Sequence, residues 1–112
     1  MTPATRRSAI AAWKDRPRPA GIYALHCLAD GGCWIGRTAD LDAIGNRHFF
    51  ALRQGSHMDK TLQAAFAAHG ETGFRLEVLE RLAEDDLPPY ARDEALKEML
   101  ARWRTRLGAR VI

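Results

Sequence analysis

The chain has 112 residues, enough for one domain with a single core and too few for two, since domains usually run to about 100–150 residues. Hydrophobic residues make up 46% and charged residues 28%, an ordinary globular composition that excludes a disordered chain. The formal net charge of +3 is small but unevenly placed: residues 1–20 carry +4 and residues 91–112 carry +3, against −4 over residues 71–90.

The first 20 residues read as a basic helical arm. Thr5 or Ser8 can cap a short helix to about Lys14, with Ile10 and Trp13 on one face, and Arg16-Pro17-Arg18-Pro19 ends it. Residues 21–112 read as the folded domain. Gly21 to Ala29 is rich in strand formers, and Asp30-Gly31-Gly32 is a tight-turn signal leading into Cys33-Trp34-Ile35-Gly36, so a β-hairpin is expected. Thr38 can cap a helix to about Arg53, whose stripe is Leu41, Ile44, His48 and Leu52, with Gly45 weakening it. A second helix follows from about Asp59 to His69, stopped by Gly70. Phe74, Leu76 and Val78 alternate with Arg75 and Glu77 as in a half-buried strand, and Glu84-Asp85-Asp86 with Pro88-Pro89 forms the loop beyond it. The last helix carries Leu96, Met99, Leu100, Trp103 and Leu107, with Gly108 near its end. The order predicts an α+β domain: a three-stranded antiparallel sheet flanked by helices.

The longest apolar stretches fall far short of the roughly 18 residues of a membrane span, and residues 1–7 lack the apolar core of a signal peptide. A cytoplasmic protein with no membrane partner is expected. Cys27 and Cys33 are too few for a disulfide scaffold and lack further Cys and His at zinc spacing, so both are read as reduced thiols. Arg outnumbers Lys 14 to 3, which together with abundant Ala suggests a GC-rich, bacterial genome.

Gly21-Ile22-Tyr23 and Trp34-Ile35-Gly36, with ten residues between Tyr23 and Trp34, resemble the signature of the GIY-YIG nuclease superfamily. Asn46-Arg47-His48, Gly55-Ser56-His57, Leu62-Gln63, His69-Gly70-Glu71 and the run from Phe74 to Glu80 look like the same family in its order and with nearly its spacing, over about residues 21–107. The resemblance implies a domain that hydrolyses DNA phosphodiesters with one divalent metal, Mg²⁺ or Mn²⁺. That chemistry needs a deprotonated water, positive charge on the phosphate and stabilisation of the leaving oxygen. By resemblance Tyr23 and His48 serve water activation, Arg37 the phosphate, and Trp34 and His57 contact with nucleic acid; helix register adds Arg47 as a second residue for the phosphate and Glu98 as the candidate metal ligand.

Three positions depart from the family. Trp34 stands for the second tyrosine and has no hydroxyl. Ile44, eight residues after Gly36, stands for an arginine, and loss of one such donor typically costs about 100–1,000-fold in rate. Leu100, three residues before Trp103, stands for the metal-binding glutamate, leaving Glu98 or Glu94 as the nearby carboxylates; Glu94, Glu98 and Arg102 also read as an exposed ion-pair ladder. Two readings follow: a metal-dependent nuclease of weakened activity, or an inactive module of the same fold that binds nucleic acid or protein.

Overall fold

A computed structural model describes residues 19–83 and 87–112. Most of the expected N-terminal arm, residues 1–18, and the acidic loop segment 84–86 lie outside the described residues.

The hairpin forms where the sequence places it. Strands β1 (Gly21–Cys27) and β2 (Cys33–Thr38) pair antiparallel about the Asp30-Gly31-Gly32 turn, with Gly31 at φ 77°. Strand β3 (Phe74–Arg81) pairs antiparallel with the other side of β1. A two-residue strand, β4 (Arg110–Val111), adds in parallel to β2, giving the order β3-β1-β2-β4. The three expected antiparallel strands are present; β4 is additional and too short to leave a period in the sequence.

Helix α1 (Leu41–Gln54) is capped by Asp40, whose carboxylate accepts from Asp42 N–H, rather than by the expected Thr38, which ends β2. Helix α2 (Lys60–His69) is capped by Asp59. A 3-10 turn (Glu71–Gly73) leads into β3, and α3 (Pro89–Leu107) begins with proline in its first turn and stops at Gly108 in the left-handed region.

Alternation along β1 divides the core. Tyr23, Leu25 and Cys27 face α1 and α2, where Leu41, Ile44, Leu52, Leu62, Trp34 and Phe74 meet them. Ile22 faces the other way, into a cluster with Leu96 and Met99 of α3. Directly paired residues share a face, so Gly36, opposite Tyr23, belongs to the α1 side and Arg37, opposite Ile22, to the α3 side.

Two glycines are required by close approach. A Cβ at Gly36 would stand 2.5 Å from Tyr23 Oη and 2.7 Å from its Cζ, so the phenol lies across bare backbone. A Cβ at Gly21 would collide with the backbone carbonyl of Glu80. At Gly45, by contrast, the nearest atom is Leu76 Cδ1 at 3.5 Å, an ordinary contact inside a helix. In urea unfolding Gly36→Ala is therefore expected to lose about 1–3 kcal/mol, whereas Gly45→Ala gains up to about 1 kcal/mol from helix propensity.

Candidate functional site

Tyr23 is 2% exposed and packs on Leu41 and Ile44. The stripe that buries those two residues carries His48 onto the same side of α1, and Tyr23 Oη lies 2.5 Å from His48 Nε2. Gly55, at φ 73°, turns the chain back at the end of α1. His57 thereby comes under His48, with its Nε2 2.8 Å from His48 Nδ1 and the rings stacked at 5.0 Å. Gln63 holds this loop, accepting from His57 N–H and donating to the Leu52 carbonyl.

The protons in this chain of rings run one way. Asp59 N–H donates to His57 Nδ1 at 3.0 Å, so neutral His57 carries its proton on Nε2 and donates it to His48 Nδ1. His48 then carries its own proton on Nε2 and donates to Tyr23 Oη. Every imidazole nitrogen of the relay is thus in use, and the Tyr23 O–H is left to donate elsewhere.

Electrostatics keep the relay uncharged at neutral pH. Burial, reinforced by His57 and Arg47, lowers the His48 pKa to about 4. Burial also lowers that of His57, against the pull of Asp59. Burial pushes the Tyr23 phenol well above its ordinary range, while the Arg47 charge works in the opposite direction. Tyr23 at rest is a neutral phenol and a hydrogen-bond donor.

An open cleft of about 470 Å³ beside the relay is lined by Ile44, Arg47, His48, Ala51, Ser56, His57, Met58, Asp59 and Ile112. Arg47, exposed on α1, is the cation whose field reaches both Tyr23 and His48. The structure therefore brings together Tyr23, Arg47, His48 and His57. His57 is 7% exposed, so it reaches the cleft as a support of His48 rather than as an open contact.

The other expected site residues lie elsewhere. Trp34 is buried in the core among Leu25, Leu62 and Phe74 and donates its indole N–H to Thr61 Oγ1, so it offers no open ring to a nucleic acid. Arg37 is exposed but on the α3 side of the sheet, because it pairs with Ile22. Glu98 is exposed on α3, turned away from the stripe of Leu96, Met99 and Leu100 that packs on the sheet face opposite Tyr23. Leu100 packs with Trp103, whose indole N–H donates to Glu80 at 2.8 Å. Ile44 lies against the Tyr23 ring and fills with methyl groups the place where a guanidinium is expected.

The donors around Tyr23 do not fit a protein-held Mg²⁺, which takes oxygen ligands, usually one or two carboxylates. Asp59 is the one carboxylate among the described residues lining the cleft. Its Oδ1 accepts from Thr61 and Leu62 and its Oδ2 from Arg110 at 2.9 Å. Although burial opposes ionisation, those hydrogen bonds hold its carboxyl down to about 2. Asp59 caps α2, orients His57 and ties down the segment carrying β4, a set of roles that sequence reasoning missed.

The fold is that of the GIY-YIG nuclease catalytic domain. The chain is similar to the catalytic domain of homing endonuclease I-TevI, with 26% identity and a TM-score of 0.56 over 83% of this chain and 97% of that one. It is also similar to a point mutant of the intron endonuclease I-TevI catalytic domain, with 28% identity and a TM-score of 0.55 over 76% of this chain and 88% of that one. No protein-family model matches the chain, and no curated protein does. No helix among the described residues is long and apolar enough to cross a membrane.

The depressed His48 sets a stability window. Its folded pKa of about 4 lies below the ordinary 6.5, so the unfolded chain binds more protons between those values and stability falls as the pH drops through them. Asp59 adds its own loss only below about pH 4, as its carboxylate protonates. Urea midpoints are expected to fall between pH 7 and pH 4.5 by the equivalent of about 1–2 kcal/mol, discounted for the half-exposed ring. His48→Gln flattens that slope; a wild-type midpoint that stays level contradicts the buried neutral imidazole.

Proposed function

Taking the GIY-YIG nuclease fold as the premise, we propose that this chain is a nuclease-like domain that engages a DNA phosphodiester at the cleft beside the Tyr23–His48 pair and hydrolyses it only weakly. The observation that carries this reading is the hydrogen-bonded run from Asp59 N–H through His57 and His48 to Tyr23, beside Arg47. Arg47 supplies positive charge for a phosphate at the cleft mouth. Tyr23, held by His48, donates its O–H to a phosphoryl oxygen or to a water beside it. His57 is a positioning residue that sets which nitrogen of His48 bears the proton.

A divalent metal belongs to this reading through the homing endonuclease neighbours, but the donors around Tyr23 do not fit one held by the protein alone. No step of the reaction is assigned to an ion. Ile44 removes a further donor, and one such loss typically costs about 100–1,000-fold. A second reading, a module that binds nucleic acid and has lost hydrolysis, is favoured by two observations: Ile44 packed on Tyr23, and Asp59 engaged at both oxygens.

The test is DNA retention and plasmid nicking with the full chain, with Mg²⁺ or Mn²⁺ and with EDTA. Salt-sensitive binding is expected, weakened by Arg47→Ala with a shallower salt slope. Slow nicking abolished by Tyr23→Phe and unchanged in Glu98→Ala supports the nuclease-like reading. Binding without nicking selects the second. Efficient metal-dependent nicking that disappears in Glu98→Ala overturns the assignment of the cleft, and absence of DNA binding defeats both readings.

A further inference from the structure

Beyond the Tyr23 cleft, the tip of the hairpin gathers a thiol, a carboxylate and an imidazole from three places in the chain. Cys27 ends β1, Asp30 opens the turn that follows, and His69 closes α2. One donor atom from each lies within 4.8 Å of the others. His69 Nε2 stands 3.5 Å from Asp30 Oδ2. Two ligands of a tetrahedral ion with bonds of about 2.0–2.1 Å are separated by about 3.3–3.4 Å, so this pair already has the spacing of a shared metal.

The scaffold around these atoms is rigid. Cys27 N–H donates to the Gly32 carbonyl at 2.8 Å, and Gly31 N–H donates to the Cys27 carbonyl. Leu28 N–H donates to Gly73, which ties the turn to the segment just after α2. Gly32 N–H donates to Asp30 Oδ1, leaving Oδ2 aimed at His69. The Cys27 thiol is buried, within 4.8 Å of the Asp30 and His69 donors. Asp30 and His69 are each part-exposed, so small rotations of these two side chains close the three donors on one ion and leave a position open to water.

We propose that Cys27, Asp30 and His69 form a zinc site that staples the β1–β2 turn to the end of α2. A thiolate with an imidazole and a carboxylate selects a borderline-soft ion such as Zn²⁺ over Mg²⁺. On binding, the ion takes the place of the thiol proton, which leaves to solvent, and the thiolate, imidazole nitrogen and carboxylate oxygen each give a lone pair to the metal. The sequence carried no zinc signature because its third ligand comes from 39 residues beyond Asp30. The site is independent of the reading of the Tyr23 cleft, and its test does not involve DNA.

The chelator-treated full chain is titrated with Co²⁺ and, separately, with Zn²⁺. One equivalent of Co²⁺ is expected to give thiolate-to-cobalt charge-transfer absorption, and excess Zn²⁺ to raise the Tm by several degrees through binding to the folded state alone. The exposed-side variants Asp30→Asn and His69→Gln, which leave the core intact, should each weaken Zn²⁺ binding at least about tenfold. Cys27→Ser should remove the charge-transfer band, and Cys33→Ser should keep it. No thiolate band in the wild type, or a band that survives unchanged in Asp30→Asn and His69→Gln, overturns the proposal.

Discussion

The hydrogen bond between Tyr23 and His48 organises one whole side of this domain, and it exists because a phenol ring can lie flat across a glycine. Gly36 faces Tyr23 across the hairpin, and with no Cβ it lets the hydroxyl pass over β2 to reach α1. α1 is in turn placed by Leu41 and Ile44, which pack on that ring. His48, one turn past Ile44, meets the hydroxyl only in this register. The loop that follows must then return His57 beneath His48, which the left-handed Gly55 and the Asp59 cap accomplish. The signature triplets are thus requirements of packing before they are requirements of chemistry.

The same arrangement limits what the site does. Burial keeps both imidazoles neutral and the phenol protonated, and the Asp59 amide sets the direction of every proton between them. Such a relay orients a donor well and accepts a proton poorly, because its nitrogens are already committed. Positive charge comes from Arg47 alone among the described residues lining the cleft. Ile44 contributes hydrophobic contact at the position where the family resemblance expects a second cation. Packing and catalysis make opposite demands on that position, and this chain has met the first.

The sheet imposes a further separation. Side chains one residue apart on a strand stand on opposite faces, so Arg37, a single step from Gly36, is directed to the α3 side with Ile22. Glu98 is removed by the same logic applied to a helix, since the stripe that docks α3 on the sheet turns it outward. Residues close in the alignment of a motif are therefore not close to its chemistry. Conversely, Cys27, Asp30 and His69 look unrelated along the chain and meet at one corner of the fold.

Much of the fold was legible in the sequence because it rests on local rules. The Asp30-Gly31-Gly32 turn, the period-2 run from Phe74, the stripes of the three helices and the glycines that end them each follow from turn chemistry, alternation or capping. Tyr23, His48 and Arg47 were legible as candidates for one site because they lie on those elements within a recognisable motif, and the structure brings them together. The helix cap moved from Thr38 to Asp40 because Thr38 was needed to complete β2. Strand β4 was invisible because two residues carry no period and gain their place only by pairing with β2. The direction of proton donation, the burial of Trp34 and the faces of Arg37 and Glu98 required the tertiary structure, because they depend on which side of a sheet each residue meets and what packs there. Sequence alone determined the elements and their order, through interactions spanning a few residues. The three-dimensional packing decided which side chains share a site, since contact between distant segments is set by the register and facing of the elements that carry them.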